Sequence, residues 1–157
     1  MREPTVLVVE DDAGMREFLK NALAPESVAV HTVASGEDGI KQALSLKPDL
    51  LLLDLRMPSM DGVAVCRAIR KNEEIGNMPI LVVTGSLSRE QIEESMTAGA
   101  DDFVSKPIDT QDLRIRVRAL LKWKHLTDPV ERLQRYVETV REMSDESSPP
   151  PASASET

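Results

Sequence analysis

Apolar positions fall into five short strand-like segments separated by helical stripes. The segments are Thr5 to Val9, Val28 to Val33, Leu50 to Leu53, Ile80 to Val83 and Phe103 to Lys106. Most are near-continuous runs of branched or leucine side chains with no polar alternation, the pattern of strands covered on both faces. Between them the period lengthens. Gly14 to Leu23 places Met15, Phe18, Leu19, Ala22 and Leu23 on one helical face, and Pro25 ends it. The next helix opens at Ser35, carries Gly39, Ile40, Ala43, Leu44 and Leu46, and closes at Lys47-Pro48. Val63 to Lys71 turns Val65, Ala68 and Ile69 inward, and Ser88 to Ala98 turns Ile92 and Met96 inward, with Ser88 as N-cap, Gln91 as its box partner and Gly99 as stop. A fifth helix follows Asp109 with Leu113, Val117, Leu120 and Leu121. Strands alternating with helices predict an α/β fold, a doubly wound five-stranded parallel sheet in the order 2-1-3-4-5.

The polar residues that interrupt this pattern are concentrated where strands end. The first strand runs into Glu10-Asp11-Asp12, the third into Asp54, the fourth into Thr84-Gly85 and the fifth into Lys106-Pro107. Singly, Asp54 reads as a turn cap and the acidic run as a solvated helix start. In the predicted strand order, however, all of these ends border one crevice outside the carboxyl edge of the sheet, where open α/β folds bind ligands. Side-by-side carboxylates there repel one another, and a divalent cation would relieve the cost. After Asp54, Arg56-Met57-Pro58 blocks both strand and helix, and Asp61-Gly62 supplies a turn before the next helix.

Composition narrows the partners. The 157 residues carry a net charge of −8, which argues against direct binding of nucleic acid by the bulk surface and favours a protein partner. The single Cys66 lies in a helical apolar pattern and reads as a buried thiol, and His31 as a surface strand histidine with no ligand-spaced companion. With no long apolar segment, a cytoplasmic protein with no membrane partner is expected.

The segments VVED, LLLDLRMPSMDG, VVTG and GADDFVSKP, in this order, resemble the receiver domain of two-component response regulators over about Pro4 to Lys124. That resemblance implies a flavodoxin-like fold and a phosphoprotein that is not itself an enzyme acting on outside substrates. It makes Asp54 the phosphoacceptor for a group from a sensor histidine kinase or phosphotransfer protein. Mg²⁺ would be bound by Asp11, by Glu10 through water, by Asp54 and by the backbone carbonyl of Arg56. It also implies that Thr84 and Lys106 contact the phosphoryl group, that Thr84 and Phe103 form the switch, and that Lys106-Pro107 has a cis peptide. Asp12 falls one position beyond the acid pair and receives no ligand role. A shuttle passing its group to a histidine phosphotransfer protein is the alternative within the same fold. A phosphatase of the haloacid-dehalogenase type is disfavoured, because Arg56 stands where such enzymes carry a second aspartate.

Beyond the receiver, taken as residues 1–125, a helix is expected over 126–143, starting at Pro129 with Asp128 as N-cap, followed by a disordered tail over 144–157. Trp123, Leu126, Val130, Leu133, Val137 and Val140 keep a heptad spacing. They suggest a homodimer seam, or else a helix that packs back on its own receiver. Acids at Glu90, Glu93, Glu94, Asp101, Asp102 and Asp112 and bases at Arg114, Arg116, Arg118 and Lys122 are candidates to pair across a two-fold axis. The downstream protein partner is not legible.

Overall fold

The structure is a computed structural model and describes residues 2–58, 60–85 and 88–147. Five strands, β1 (Thr5–Val9), β2 (Ala29–Val33), β3 (Leu50–Asp54), β4 (Ile80–Thr84) and β5 (Asp102–Ser105), form one parallel sheet in the order β2-β1-β3-β4-β5. The expected order and class hold. Helices α1 (Ala13–Leu23), α2 (Gly36–Leu46), α3 (Gly62–Lys71), α4 (Arg89–Thr97) and α5 (Thr110–Lys122) are the crossovers and the last flanking element, and α6 (Pro129–Ser147) follows. No helix among the described residues is long and apolar enough to cross a membrane.

Successive strand residues point to opposite sides, so the sheet divides its apolar side chains between two cores. Leu7, Val9, Leu51, Leu53, Ile80 and Val82 pack with Val65, Cys66 and Ile69 of α3 and Ala43 of α2. On the other face, Val6, Val8, Leu50, Leu52, Leu81 and Val83 pack with Leu19 and Leu23 of α1 and Leu113 and Val117 of α5. Each fully buried leucine contributes roughly 1.5–3 kcal/mol, which fixes the strand register and hence the position of every strand end. Cys66 is buried, and desolvation, the largest influence on it, pushes its thiol up to about 11.

The helices start where short polar side chains can receive backbone amides. Asp12, Ser35, Asp61, Ser88 and Asp109 each cap a helix, accepting from the amides of Met15, Asp38, Ala64, Gln91 and both Gln111 and Asp112. Three inward assignments are corrected: Phe18, Leu44 and Met96 are substantially exposed. Each lies at the flank of its stripe, and a helix laid on a sheet buries only the middle of an apolar arc this wide. In α4 the fully buried position is Ser95, whose hydroxyl donates to the Ile92 carbonyl at 2.9 Å.

The helix after Asp128 begins at Pro129 as expected but extends to Ser147, so residues 144–147 are helical rather than part of a tail. The rest of the expected tail, 148–157, lies outside the described residues. Of the two arrangements open to it, α6 adopts the packed-back one. Tyr136 is buried in the α1–α5 core and Val140 packs against it, whereas Val130, Leu133 and Val137 remain 64%, 55% and 41% exposed. The bases expected to face a second molecule are used within the chain. Arg114 Nε donates to the Ala22 carbonyl at 2.7 Å, Arg116 holds Asp102 and Asp112, and Arg118 pairs with Glu26.

Candidate functional site at the carboxyl edge of the sheet

Glu10 follows the last residue of β1, and Asp54 is the last residue of β3, the neighbouring strand. Their placement follows from the register, which pairs Val9 with Leu53 and so leaves both acids one step further toward the carboxyl edge. Carboxylate oxygens of Glu10, Asp11 and Asp54 all lie within 4.8 Å of one another. Glu10 and Asp54 are 1% and 5% exposed, while Asp11 is open to solvent. Two buried acids this close are mutually unfavourable unless cations or donors compensate them.

Part of the compensation comes from the fifth strand end. Lys106, the residue after β5, sets its Nζ 2.9 Å from Glu10 Oε1 and 3.7 Å from Asp54 Oδ2. Partial burial works against the ammonium, but the bond to Glu10 and the charges of Asp54 and Glu10 outweigh it, so its pKa lies above the ordinary lysine value. Backbone amides add to this: Asp12 N donates to Glu10 Oε2 at 3.1 Å, and Arg56 N to Asp54 Oδ1 at 3.2 Å. The Lys106-Pro107 peptide is cis, as expected.

Thr84 ends β4, is 1% exposed and pairs in register with Ser105, and its carbonyl accepts from Lys106 N at 2.9 Å. Gly85 lies beside the Lys106 side chain, 3.6 Å from where a β-carbon would stand. Phe103 sits on β5 opposite Val82, half-buried and packed against the α2–α3 core. Arg56 is exposed in the loop after β3. That loop is held close by Gly62, where a β-carbon would come within 2.7 Å of the Asp54 carbonyl oxygen, so any larger residue there would push on the strand end.

One contributor was not legible beforehand. Arg16, placed on the solvent side of α1 by its helical position, donates through Nη1 to the carbonyls of both Glu10 and Asp11 at 2.9 Å. It shapes the backbone that presents the two acids. An arginine five residues after a strand-end acid, on the first turns of the following helix, was the available signal. Asp12 turns its carboxylate away from the trio to cap α1.

The arrangement can do a restricted set of things. An all-oxygen donor set of three close carboxylates suits a hard divalent cation, and an ammonium held between Glu10 and Asp54 suits an incoming anionic group. Among the described residues it contains no sulfur or imidazole ligand.

Comparison with known proteins agrees with this geometry. Residues 6–118 match the family model of the response regulator receiver domain. The transcriptional regulatory protein AfsQ1 of Streptomyces coelicolor is 38% identical over 119 residues, 76% of this chain and 52% of that protein. The response regulator ArlR of Staphylococcus aureus is 37% identical over 117 residues, 74% of this chain and 52% of that protein. The chain therefore spans about half the length of the curated relatives it matches. Among solved structures, a CheY-like receiver domain protein from Methanospirillum hungatei superposes with a TM-score of 0.73 at 27% identity, covering 78% of this chain and 96% of that one. The chemotaxis protein CheY4 of Vibrio cholerae gives 0.71 at 26%, covering 75% and 98%. Sheet order, strand-end acids and sequence converge on one assignment: this chain belongs to the receiver-domain family of two-component response regulators.

Proposed function

We propose that Asp54 is the phosphoacceptor and that a carboxylate oxygen of Asp54 takes a phosphoryl group from the phosphohistidine of a sensor kinase or phosphotransfer protein. The bond formed is Asp54 O–P; the bond broken is the donor's N–P, whose electron pair leaves with the imidazole. Such a transfer involves little covalent chemistry for the protein beyond the nucleophile, so neutralisation and alignment carry it. The observation that supports this reading is the meeting of Glu10, Asp11 and Asp54 within 4.8 Å, with Lys106 Nζ reaching two of them.

The donor set fits Mg²⁺, with Glu10, Asp11, Asp54 and the backbone carbonyl of Arg56 as the residues that would hold it. When bound, Mg²⁺ supplies positive charge for the phosphoryl oxygens. The chain's own groups do the rest. Lys106 moves its ammonium from Asp54 to a phosphoryl oxygen while staying tethered to Glu10. Arg16 and the Asp12 amide keep the acidic backbone in place. The Thr84 hydroxyl donates to the phosphoryl group, and that displacement makes room for Phe103 to change its packing.

The test is labelling with acetyl phosphate and Mg²⁺. One acid-stable, base-labile phosphoryl group per chain is expected, absent from Asp54→Asn and in EDTA; stoichiometric labelling of Asp54→Asn would overturn the assignment. Self-association is a second reading, supported by the exposed row Val130, Leu133 and Val137 on the outer side of α6. Sedimentation across a concentration range is expected to show a weak monomer–dimer equilibrium, and a monomer throughout would dismiss it.

A further inference from the structure

The α6 helix is tied to the body by groups that lead directly to the switch strand. Two consecutive acids make the connection. Asp101 Oδ2 accepts from the amide of Ile80, the first residue of β4, at 2.8 Å, and from Arg70 Nη2 at 3.1 Å, and it receives Arg132 Nη2 of α6 at 3.4 Å. Asp102 Oδ1 accepts from the amide of Phe103 at 2.8 Å, while its Oδ2 receives both Arg116 of α5 and the Tyr136 hydroxyl of α6. One carboxylate thus touches the backbone of Phe103 on one side and α6 on the other. Arg132 also donates to the Asn77 carbonyl at 2.8 Å, and Trp123 Nε1 donates to Thr139 Oγ1 at 2.7 Å under the Arg135 guanidinium.

We propose that the β5–α5 edge is a helix-docking surface whose resident occupant is α6 of the same chain, and that Asp102 couples this occupancy to the phosphoacceptor site. The occupant it fits is an amphipathic helix carrying an arginine and a tyrosine four residues apart, as Arg132 and Tyr136 are. Burial dominates the environment of Tyr136 and, with the Asp102 charge, holds its phenol above the ordinary tyrosine range, so the hydroxyl stays a donor to Asp102. The Phe103 amide holds one oxygen of the Asp102 carboxylate while Arg116 and Tyr136 hold the other, so the orientation of that carboxylate toward α6 follows the β5 backbone at Phe103. A displacement of Phe103 therefore weakens the hold on Tyr136 and loosens α6, freeing the edge for another helix. Coupling of this kind is reciprocal: whatever loosens α6 must favour the occupied Asp54 site by the same factor. This inference rests on the phosphoacceptor reading of Asp54.

Trp123, the single tryptophan of the chain, reports on docking because its indole bonds Thr139 of α6. The experiment titrates the full chain with beryllofluoride and Mg²⁺, following occupancy by the ¹⁹F signal of bound fluoride and docking by Trp123 emission. The wild-type emission is expected to shift red in step with occupancy. Tyr136→Phe, which keeps the buried ring, and Arg132→Gln are expected to start partly shifted and to bind beryllofluoride about fivefold more tightly. Full occupancy with unmoved Trp123 emission and unchanged affinity in both variants would overturn the inference while leaving the Asp54 reading intact. Failure of beryllofluoride to bind the wild type would overturn the Asp54 reading and this inference with it.

Discussion

Asp49, Asp101 and Asp102 stand among several donors at the amino edge of the sheet, whereas Glu10, Asp11 and Asp54 crowd together at its carboxyl edge. Asp49 accepts from Thr5 N at 2.7 Å and pairs with Arg2 and with Lys124. Burial opposes its charge, but Lys124, the Thr5 amide and Arg2 together hold its pKa below the usual aspartate value. At the opposite edge three acids lie within 4.8 Å, and the nearby Arg16 is spent on backbone carbonyls rather than on carboxylates. One set of acids is finished by folding and serves as staples. The other keeps capacity for a cation and an anionic group to arrive together. In the proposed reading, the same residue type thus does structural or chemical work according to the donors around it, not according to its burial.

Several substitutions break or sharpen this contrast. The largest effect is expected for Asp54→Asn, which should lower phosphoryl labelling at least 100-fold by intact mass while leaving the circular dichroism spectrum unchanged. Lys106→Gln comes next. It should slow labelling about tenfold or more and cost about 2 kcal/mol of stability in EDTA, read by urea unfolding, because Glu10 stays buried without its ammonium. Since the Lys106 pKa is raised in the folded state, the stabilisation is complete below the ordinary lysine pKa of 10.5 and lost as pH rises through the higher folded value. Wild type and variant should therefore converge in stability at strongly alkaline pH.

Asp49→Asn should cost about 1–2 kcal/mol, since its outer partners are solvent-screened, and should leave labelling intact. Its pKa is lowered by folding, so this contribution is present above the unfolded value of 3.8 and lost as pH falls through the lower folded value. The smallest stability change is expected for Thr84→Ala, which should still label at Asp54 but show no phosphorylation-dependent shift of Phe103 in methyl and aromatic NMR spectra. A normal Phe103 response in that variant would exclude Thr84 as the link.

The sheet order was legible because the apolar runs are short, unalternated and separated by helical stripes, which leaves few ways to cover both faces. Glu10, Asp54, Thr84 and Lys106 were legible as a group because strand ends in that order must meet. What the pattern did not carry is reach. Arg16 faces away from the core by periodicity, yet its long side chain returns to the Glu10 and Asp11 carbonyls. Arg70 likewise leaves α3 to bind the Gly99, Gly76 and Met78 carbonyls. The packing of α6 depends on Arg132 and Tyr136, two polar-tipped residues that a heptad of valines and leucines passes over. A hydrophobic period gives the width of an apolar arc, and partners 31 and 34 residues away in sequence are chosen by such polar tips.

The contrast between the two edges can be tested by neutralising one acid in each and measuring unfolding free energy in urea, with the full chain in EDTA. Asp54→Asn relieves repulsion among crowded carboxylates and is predicted to raise stability by about 1 kcal/mol, whereas Asp49→Asn removes a staple and is predicted to lower it. Opposite signs support the account; a loss of stability in both variants would show that the carboxyl-edge acids are as fully compensated as those at the amino edge, and would contradict it.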